Sequence, residues 1–223
     1  MSPRIDLPQH PDNPVPRAPR RSLPRVSAAA PAPGSAPWWR RHEERLARRR
    51  PHTDGLTLEV VLAEALALVD AEGMDALTVR ALATRLGTGS STLYRHVASR
   101  EELLVLLVDA VLGEVRLPDP QLPGRVRVEQ LSGELRRVLR SHPHVVPALS
   151  GSPILGPNAM RASACGLDNL LAAGHPPERA RAAYLALLDY VLGSVAFDAA
   201  AESGSDDVFT FGLTTFLDGL EKG

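Results

Sequence analysis

Two short helical patterns that meet at one glycine limit the possible folds of this chain more than any other feature. Residues 79–86 read V-R-A-L-A-T-R-L and are followed by Gly87, after which S-S-T-L-Y-R-H-V begins at residue 90. Leu93 and Val97 lie about one turn apart in this second pattern, so they share a face. Because one helix can follow another this closely only through a residue that tolerates a positive φ, Gly87 predicts a tight turn between two helices.

Residues with capping side chains stand where these helices should begin. Thr78 is placed to cap the first helix and Ser90 or Ser91 the second, because a hydroxyl oxygen can accept a hydrogen bond from an otherwise unpaired backbone N–H. Ser99 and Glu102 fit the S-x-x-E pattern of a capping box, which should open a longer apolar helix.

The rest of the chain continues the helical pattern. An amphipathic stretch begins at Leu58 and ends near Gly73, and it should pack with the two short helices as a helix-turn-helix unit. No strand pattern is visible and aromatic residues make up only 4% of the chain, so the predicted fold class is all-α. Further helices are predicted over 125–140, 143–150, 157–173, 177–201 and 206–221.

The stretch from Ala76 to Arg100 carries positive charge and no negative charge. It contains four arginines and one histidine but no acidic residue. DNA phosphates favour this choice, since a carboxylate near the duplex would repel them and each arginine releases condensed counterions. Hydroxyl donors at the start of the second short helix can approach base edges or phosphates, and two further side chains can reach phosphates. The hydroxyl donors are Ser90, Ser91 and Thr92, and the other two residues are Tyr94 and His96.

Less specific interpretations of these residues stay open. Tyr94 could be a partly buried core residue with its hydroxyl group at the surface, and His96 could only satisfy a nearby carbonyl. Short basic helices are also often simply solvated. The conjunction of helix spacing, tight turn, capped restart and charge segregation within 25 residues favours DNA binding.

Charge is distributed unequally along the chain. Residues 1–50 contain 11 arginines and 4 acidic residues, a formal charge of +7, whereas the remaining 173 residues carry 14 basic and 22 acidic residues, or −8. This asymmetry is typical of a basic tail that binds a polyanion, although biased composition without selection for binding would look the same. Residues 1–37 hold ten prolines and are predicted to be disordered. Residues 37–51 could form a short basic helix whose Trp38 and Trp39 pack on the body or stay exposed.

Residues 58–112 resemble the amino-terminal DNA-binding domain of the TetR family of transcriptional repressors. The resemblance is carried by A-E-G-M-D-A-L-T-V-R-A-L-A-T-R-L-G (71–87), S-S-T-L-Y-R-H-V (90–97) and S-R-E-E-L-L (99–104). The L-Y-x-H-V form is similar to the tetracycline-repressor branch, although Arg95 stands where those repressors have an aromatic residue. The resemblance implies DNA contacts from the second helix, the recognition helix and the start of the fourth helix, with Arg100 gripping a phosphate. The implied contact residues are Thr78, Arg80, Ser90, Ser91, Thr92, Tyr94, Arg95, His96 and Arg100.

Composition and this resemblance together predict three segments. Residues 1–52 would be a disordered, basic, proline- and arginine-rich extension, residues 53–115 the helix-turn-helix domain, and residues 116–223 a helical ligand-binding and dimerisation domain. The residue pattern agrees, because the helix over 180–201 is apolar over most of its circumference and needs a second cover, which another copy of the chain would provide. A two-fold dimer would set two recognition helices about one turn of DNA apart on a palindromic operator.

An effector pocket is also implied by the resemblance. Aligned on Ser141-His142 and Gly193, the family's magnesium-binding histidine falls on Leu149 and its glutamate on Phe197, and neither residue can coordinate a cation. A magnesium–tetracycline chelate is therefore not expected, and the pocket should favour an apolar, polyketide-like molecule. The predicted lining, for which plain core packing is the alternative, consists of Leu104, Val108, Leu135, Leu139, Met160, Tyr184, Leu188 and Tyr190.

Metal binding and catalysis have little support in the sequence. His142-Pro143-His144 holds two rings on a rigid turn and Cys165 follows later, but no carboxylate or second pair stands at ligand spacing. Ordinary loop or pocket histidines are the alternative, so no metal site and no cofactor are predicted. An enzyme is not expected either, since no nucleophile–base pair appears and Gly87-Thr88-Gly89 lacks the third glycine and the preceding strand of a phosphate-binding loop.

The leading hypothesis is a homodimeric, ligand-responsive repressor that binds a palindromic operator in double-stranded DNA and is released by a small effector. The alternative is a helical interaction or scaffold protein whose basic tail binds RNA or membranes. The longest strongly apolar run, Leu103 to Val108, is far shorter than the roughly 20 residues of a membrane helix, and no signal peptide is evident. A cytoplasmic protein without membrane association is therefore expected.

Overall fold

Capping residues and glycines set the helix boundaries in the computed structural model, which describes residues 30–48, 56–149, 156–200 and 206–222, without the side chains of residues 199 and 200. Thr57 accepts a hydrogen bond from the Val60 N–H at 3.3 Å and begins the first helix of the helix-turn-helix unit. Gly73, at φ +84°, ends that helix, because the left-handed region is strained for other residues.

The described residues form ten α-helices and two short 3-10 turns, with no strand among them, which confirms the predicted all-α class. The two turns are Met74–Ala76 and Pro143–Val145. In chain order the helices are α1 (Ala36–Arg48), α2 (Leu58–Glu72), α3 (Val79–Arg85), α4 (Ser90–Leu93), α5 (Arg100–Gly113), α6 (Gly124–Ser141), α7 (Val146–Leu149), α8 (Pro157–Ala172), α9 (Pro177–Ala200) and α10 (Asp206–Lys222).

Most predicted helices agree closely with the structure. Four of the five predicted beyond residue 124 differ from α6, α8, α9 and α10 by no more than one residue at either end. The helix predicted over 143–150 is present as the second 3-10 turn followed by α7, and residue 150 lies outside the described residues. The proline that opens this segment has no N–H to donate, so a tight turn is compatible with its start.

Two apolar clusters fill the interior. The first joins α2 to α5 through fully buried side chains, among them Val61, Leu82, Leu93 and Leu107. Burying one such leucine contributes roughly 2 kcal/mol relative to leaving it in water. The second cluster joins α6 to the carboxy-terminal helices through Leu139, Leu170, Val191 and Leu213.

α5 connects the two halves of the molecule. Its buried side chains, from Leu103 near its start to Leu112 near its end, belong to the first cluster, and the helix packs against both α2 and α8. The described residues from Pro31 onward form one compact unit. The predicted domain boundary between residues 115 and 116 falls just after α5, and it stays a prediction.

The predicted disordered extension over residues 1–52 is wrong for Ala36–Arg48, which forms α1. Trp38 and Trp39 are each 7% exposed and His42 is 4% exposed, so one side of α1 is part of the protein interior. Two adjacent indoles bury enough apolar area to order a short helix against the body. Of the rest of the predicted extension, residues 1–29 and 49–52 lie outside the described residues.

Candidate DNA-binding surface and effector cavity

α3 and α4 are fixed to the core by a small number of buried side chains. Thr78 caps α3 by accepting a hydrogen bond from the Ala81 N–H at 3.1 Å, as predicted. Leu82 is fully buried under α3, and Leu93 and Val97 hold the α4 segment from below. Since these residues point inward, helical geometry turns Ser91 and its neighbours outward.

The start of α4 differs from the prediction. Gly89, in extended backbone at φ −80° and ψ 146°, occupies the N-cap position, and no side chain caps the helix. The prediction that Ser90 or Ser91 caps α4 is therefore wrong, because Ser90 is already the first helical residue. Their hydroxyl groups are not used for capping, so they can form hydrogen bonds with a partner at the start of the helix.

The regular part of α4 is only one turn long, and tighter hydrogen bonds extend it. The Arg95 N–H donates to the Thr92 carbonyl at 3.1 Å, and the His96 N–H donates to the Leu93 carbonyl at 2.7 Å. These bonds between residues three apart continue the helical path to Val97. The recognition segment over residues 90–97 is thus ordered by its own backbone and by two buried anchors.

Gly87 makes the turn between α3 and α4 at φ +61°. Gly87→Ala should lower the free energy of unfolding by about 1–2 kcal/mol, because an alanine Cβ is strained in the left-handed region. Gly133→Ala is the matched control, since Gly133 lies inside α6 and an alanine Cβ there would meet no other atom within 4 Å. At that position the same change should stabilise the protein by up to ~1 kcal/mol.

Urea unfolding followed by circular dichroism, at one fixed protein concentration, measures both variants. Opposite signs for the two glycines are expected. Equal stability of the Gly87 variant and the wild type would mean that the turn does not need its positive φ.

The residues predicted to contact DNA are reached by solvent to different degrees. Tyr94 is 56% exposed, so the alternative in which it belongs to the core is wrong. Thr78, Arg80, Ser91 and Arg95 are also exposed, whereas Ser90, Thr92, His96 and Arg100 are half-buried. The structure thus offers one hydroxyl-rich and basic surface, and the DNA contacts themselves stay a prediction.

Two arginines of this stretch have protein partners that the sequence did not reveal. Arg100 donates from Nε to the Leu77 carbonyl at 2.8 Å and from Nη2 to the Met74 carbonyl at 3.0 Å, so it ties α5 to the first 3-10 turn. Arg85 forms ion pairs with Glu64 of α2 at 2.5 Å and with Glu72 at 3.6 Å. Because Glu64 and Glu72 lie beside Arg85, the net positive charge around this surface is smaller than residues 76–100 alone suggest.

The Ser99–Glu102 capping box forms only in part. Ser99 Oγ accepts from the Glu102 N–H at 3.1 Å, but the Glu102 carboxylate accepts from the Ala98 N–H at 3.2 Å instead of reaching Ser99. The same carboxylate receives Arg45 of α1 at 2.6 Å. Burial alone would raise the pKa of Glu102, and the contacts with His42 and Arg45 outweigh it, so the pKa lies below its ordinary value.

An apolar cavity of about 270 Å³ lies among α5, α6, α8 and α9. Its wall is mostly leucine, with one polar spot where the Tyr184 hydroxyl donates to Ser163 Oγ at 2.8 Å. The residues that line this apolar cavity are Leu112, Leu135, Leu139, Leu149, Ala159, Ala162, Ser163, Tyr184, Leu188 and Leu192.

Half of the predicted pocket residues lie in this cavity. Leu135, Leu139, Tyr184 and Leu188 line it, whereas the other four do not. The other four have different surroundings: Leu104 and Val108 pack in the first cluster, Met160 is 51% exposed, and Tyr190 stacks on Phe209 with ring centroids 5.3 Å apart.

Several lining residues were missed by the sequence reasoning. Ala159, Ala162 and Ser163 recur at helical spacing on α8, and a stripe of small residues is the signal that could have revealed a cavity wall. Leu149 also lines the cavity, at the position aligned with the family's magnesium-binding histidine. Phe197, aligned with the glutamate, is 77% exposed and lies elsewhere.

A larger, polar cavity of about 630 Å³ lies between α6 and α10. Arg136 and Arg140 line it, and both contact Asp206 and Asp198. Because these arginines are already paired with carboxylates, this cavity has no excess positive charge to attract an anion. The apolar cavity is therefore the better candidate for an effector.

The histidines considered for metal binding have separate surroundings. His142 Nδ1 lies 2.9 Å from the Asp70 carboxylate of α2, and its Nε2 lies 3.4 Å from Glu114. His144 is exposed and Cys165 packs beside the first cluster. Within the described ranges, no group of three potential ligands is arranged to hold a metal ion.

A buried carboxylate joins α5 to the first turn of α8. Asp109 is 4% exposed and accepts hydrogen bonds from the Ala159 N–H at 2.9 Å and from Asn158 Nδ2 at 3.2 Å. Burial raises the pKa of Asp109 above its ordinary value, and these hydrogen bonds act against that rise. These hydrogen bonds tie the first turn of α8 to α5.

On the outer side of α9 and α10, large apolar side chains are exposed to solvent. Leu185 is 49% exposed, Phe197 77%, Val208 70% and Phe211 74%. Exposed apolar residues of this size, grouped on two adjacent helices, are typical of a protein–protein interface. The inner side of α9 packs on α6 and α8, so only the outer side needs the second cover that the sequence predicted.

By length and composition, Pro177–Asp198 of α9 would also suffice to span a membrane, alone among the helices described. The sequence expectation rested on uninterrupted apolar runs and overlooked this helix. Core helices of globular proteins meet the same criterion, so the finding is weak evidence for a membrane.

Comparison with known proteins gives consistent matches on both halves. Residues 61–107 match the family model of bacterial regulatory proteins of the tetR family, and residues 118–205 match that of the tetracyclin repressor-like C-terminal domain. An HTH-type transcriptional regulator of Saccharopolyspora erythraea is 38% identical over 172 residues, which cover 77% of this chain and 70% of the relative.

Solved structures with the same fold include regulators bound to a ligand or to DNA. The Streptomyces coelicolor TetR family protein ActR in complex with actinorhodin superposes with a TM-score of 0.67 at 29% identity, over 75% of this chain and 98% of ActR. BioQ, known from Mycobacterium smegmatis, superposes in its complex with its double-stranded DNA operator with a TM-score of 0.65 at 28% identity, over 75% of this chain and 99% of BioQ.

Proposed function

The chain belongs to the TetR family of bacterial transcriptional regulators, and from this premise we propose that it is a homodimeric repressor which leaves a palindromic operator when a small apolar effector enters the apolar cavity. It is a ligand-responsive, DNA-binding regulator. The scaffold alternative is not favoured, because both family models and the relatives describe transcriptional regulators.

The observation that carries the proposal is the exposed, hydroxyl-rich and basic side of a recognition segment whose other side is buried. Leu93 and Val97 are at most 1% exposed, and Tyr94 between them in sequence is 56% exposed. A short helix held this way can enter the major groove without losing its anchors. BioQ, which has the same fold, is known in complex with its DNA operator.

α5 supplies the path from the effector to DNA. Its cap Ser99 lies two residues after the recognition segment, and its last turn brings Leu112 into the wall of the apolar cavity. An effector that fits better when α5 and α8 are displaced would favour a dimer whose recognition segments no longer match two half-sites. The loss of operator affinity would equal the effector's preference for that displaced state.

The chemistry of the wall indicates an apolar effector with a single polar edge. Leucines surround most of the space, and the Ser163–Tyr184 hydroxyl pair is the polar spot that an oxygen-bearing ring could use. The complex of ActR with actinorhodin supports a polyketide-like class for this chain too. Among the described residues that line the cavity, none offers a magnesium ligand of the histidine or carboxylate type.

Selection of DNA from a random pool, followed by footprinting, tests the operator proposal. We expect one palindromic sequence to be protected on both half-sites, with affinity that falls steeply as salt rises. Equal binding to scrambled and selected DNA would contradict the proposal.

Filling the apolar cavity should uncouple the protein from its effector. Leu188→Trp places an indole in the cavity, so an effector that needs the space should require at least ten times more concentration to release the operator. Met160→Trp is the matched control, since Met160 is 51% exposed on α8 and does not line the cavity.

Fluorescence anisotropy of labelled operator, titrated with actinorhodin as the probe, gives the release curves. Operator affinity without effector should be the same for both variants and the wild type. If the tryptophan at position 188 left effector release unchanged, the effector would have to bind elsewhere.

The remaining assignments follow from the regulator's role. We propose that the protein has no catalytic activity, since its relatives act as transcriptional regulators. A cytoplasmic location follows from the need to reach operator DNA.

A further inference from the structure

α1 lies outside the two stretches that match the family models, which begin at residue 61, yet it is firmly attached to the DNA-binding half. Trp38 and His42 stack with ring centroids 5.0 Å apart, and Trp39 meets Trp38 edge-on at 4.9 Å. These three rings are the buried side of the helix. Such attachment gives the opposite, exposed side of α1 a fixed position.

Two contacts determine the direction of α1. Near its start, the Trp39 ring lies against Gly156 beside Asp109, the tenth residue of α5. Near its end, Arg45 donates to the Glu102 carboxylate at 2.6 Å, at the third residue of α5. α1 therefore runs antiparallel to α5, and its carboxy-terminal end lies beside the amino-terminal end of α5.

The amino-terminal end of α5 is also the end next to the recognition segment. Glu102 accepts from Arg45 with one oxygen and from the Ala98 N–H with the other, and Ala98 directly follows residues 90–97. The Glu102 carboxylate thus links the last two turns of α1 to the residue that follows the recognition segment. Arg45 keeps 51% of its side chain exposed at this point.

The exposed side of α1 is basic near this end. Arg41, Arg45 and Arg48 follow the i, i+4, i+7 spacing of one helical stripe, and Arg48 is 82% exposed. The stripe has an acidic neighbour in Glu44, which lies 3.9 Å from Arg48 and is itself 64% exposed, an arrangement worth little in water.

From this arrangement we propose that α1 is a second DNA-binding element, whose stripe of Arg41, Arg45 and Arg48 contacts backbone phosphates that flank each operator half-site. The inference rests on the proposed function. It adds contacts outside the helix-turn-helix unit, of a kind that increases affinity without reading base sequence. The partner is double-stranded DNA. The bound stretch extends at both ends beyond the part that the recognition segments alone would cover.

The double variant Arg41→Gln, Arg48→Gln tests the proposal while leaving Arg45 bound to Glu102. Two arginines on each of two protomers make four phosphate contacts, so the slope of log affinity against log salt should become less steep by about 3.6. Between 50 and 200 mM salt the wild type should then lose roughly 150-fold more affinity than the variant. Hydroxyl-radical footprints should shorten at both flanks.

Arg116→Gln, Arg137→Gln is the matched control, with the same charge change on exposed arginines of the α5–α6 loop and α6. It should keep the wild-type slope and footprint. If the wild type protects a palindrome and the stripe variant behaves like this control, the DNA-binding role of α1 is overturned. The proposed function then stays intact. If the wild type protects no palindrome, both proposals are overturned.

Discussion

Replacing Arg80 and Tyr94 together with alanine is expected to weaken operator binding by about a thousandfold. Each residue offers one contact per protomer, and at about 1 kcal/mol for each of four contacts the dimer loses about 4 kcal/mol of binding free energy. Both side chains are exposed in the structure, so their removal should not disturb the core. Fluorescence anisotropy with the selected palindrome measures the loss.

The two single variants separate the contributions. A residue that contacts only phosphate should weaken binding to all sequences alike and make the salt slope less steep, whereas a residue that reads a base should relax selectivity at one position of each half-site. Arg116→Ala is the control, because Arg116 is 81% exposed and lies after α5, away from the helix-turn-helix unit. Undiminished binding by the double variant would remove the recognition segment from the DNA interface.

Charged substitutions on the outer side of α9 and α10 are expected to produce a monomer that no longer binds its operator tightly. Phe197→Asp and Phe211→Asp place a carboxylate where each residue is at least 74% exposed in the single chain. In a two-fold interface the same charge is added to both partners, so a desolvated like-charge contact opposes association. Light scattering after gel filtration reports the mass.

Loss of the dimer should reduce operator affinity by about a hundred- to ten-thousandfold, since the second half-site is then no longer bound at high effective concentration. Weak binding to a single half-site should remain, because Leu93 and Val97 still hold the recognition segment. Met160→Asp provides the matched control on α8, where an exposed apolar side chain is also replaced. A dimer that survives both aspartates would place the interface elsewhere.

The sequence predicted most of the helical framework because the signals are local. The 3.6-residue apolar period, Thr78 at an N-cap and Gly87 at a positive φ depend on neighbours within one or two turns. The same locality explains why α9 was expected to need a second cover. An apolar circumference can be read from the residues without knowing what lies beside it.

Side-chain partners could not be predicted in this way. Arg85 and Arg100 stood in an acid-free stretch, and the structure gives them Glu64 and two backbone carbonyls from elements that lie earlier in the chain. The start of α4 was misjudged for a related reason, since Gly89 and Ser90 compete for one position and only the path of the whole turn decides which residue caps.

What the sequence determined by itself is the type of element along the chain and the recognition segment that it presents. Periodicity, caps and turn residues are properties of consecutive residues, and they were sufficient for the all-α framework and for the position of the turn at Gly87. What only the tertiary structure decided is which of the candidate pocket residues share a cavity and where the basic helix α1 lies. Cavity walls and docking positions arise from helices far apart in sequence, and their packing depends on the shapes of all partners at once.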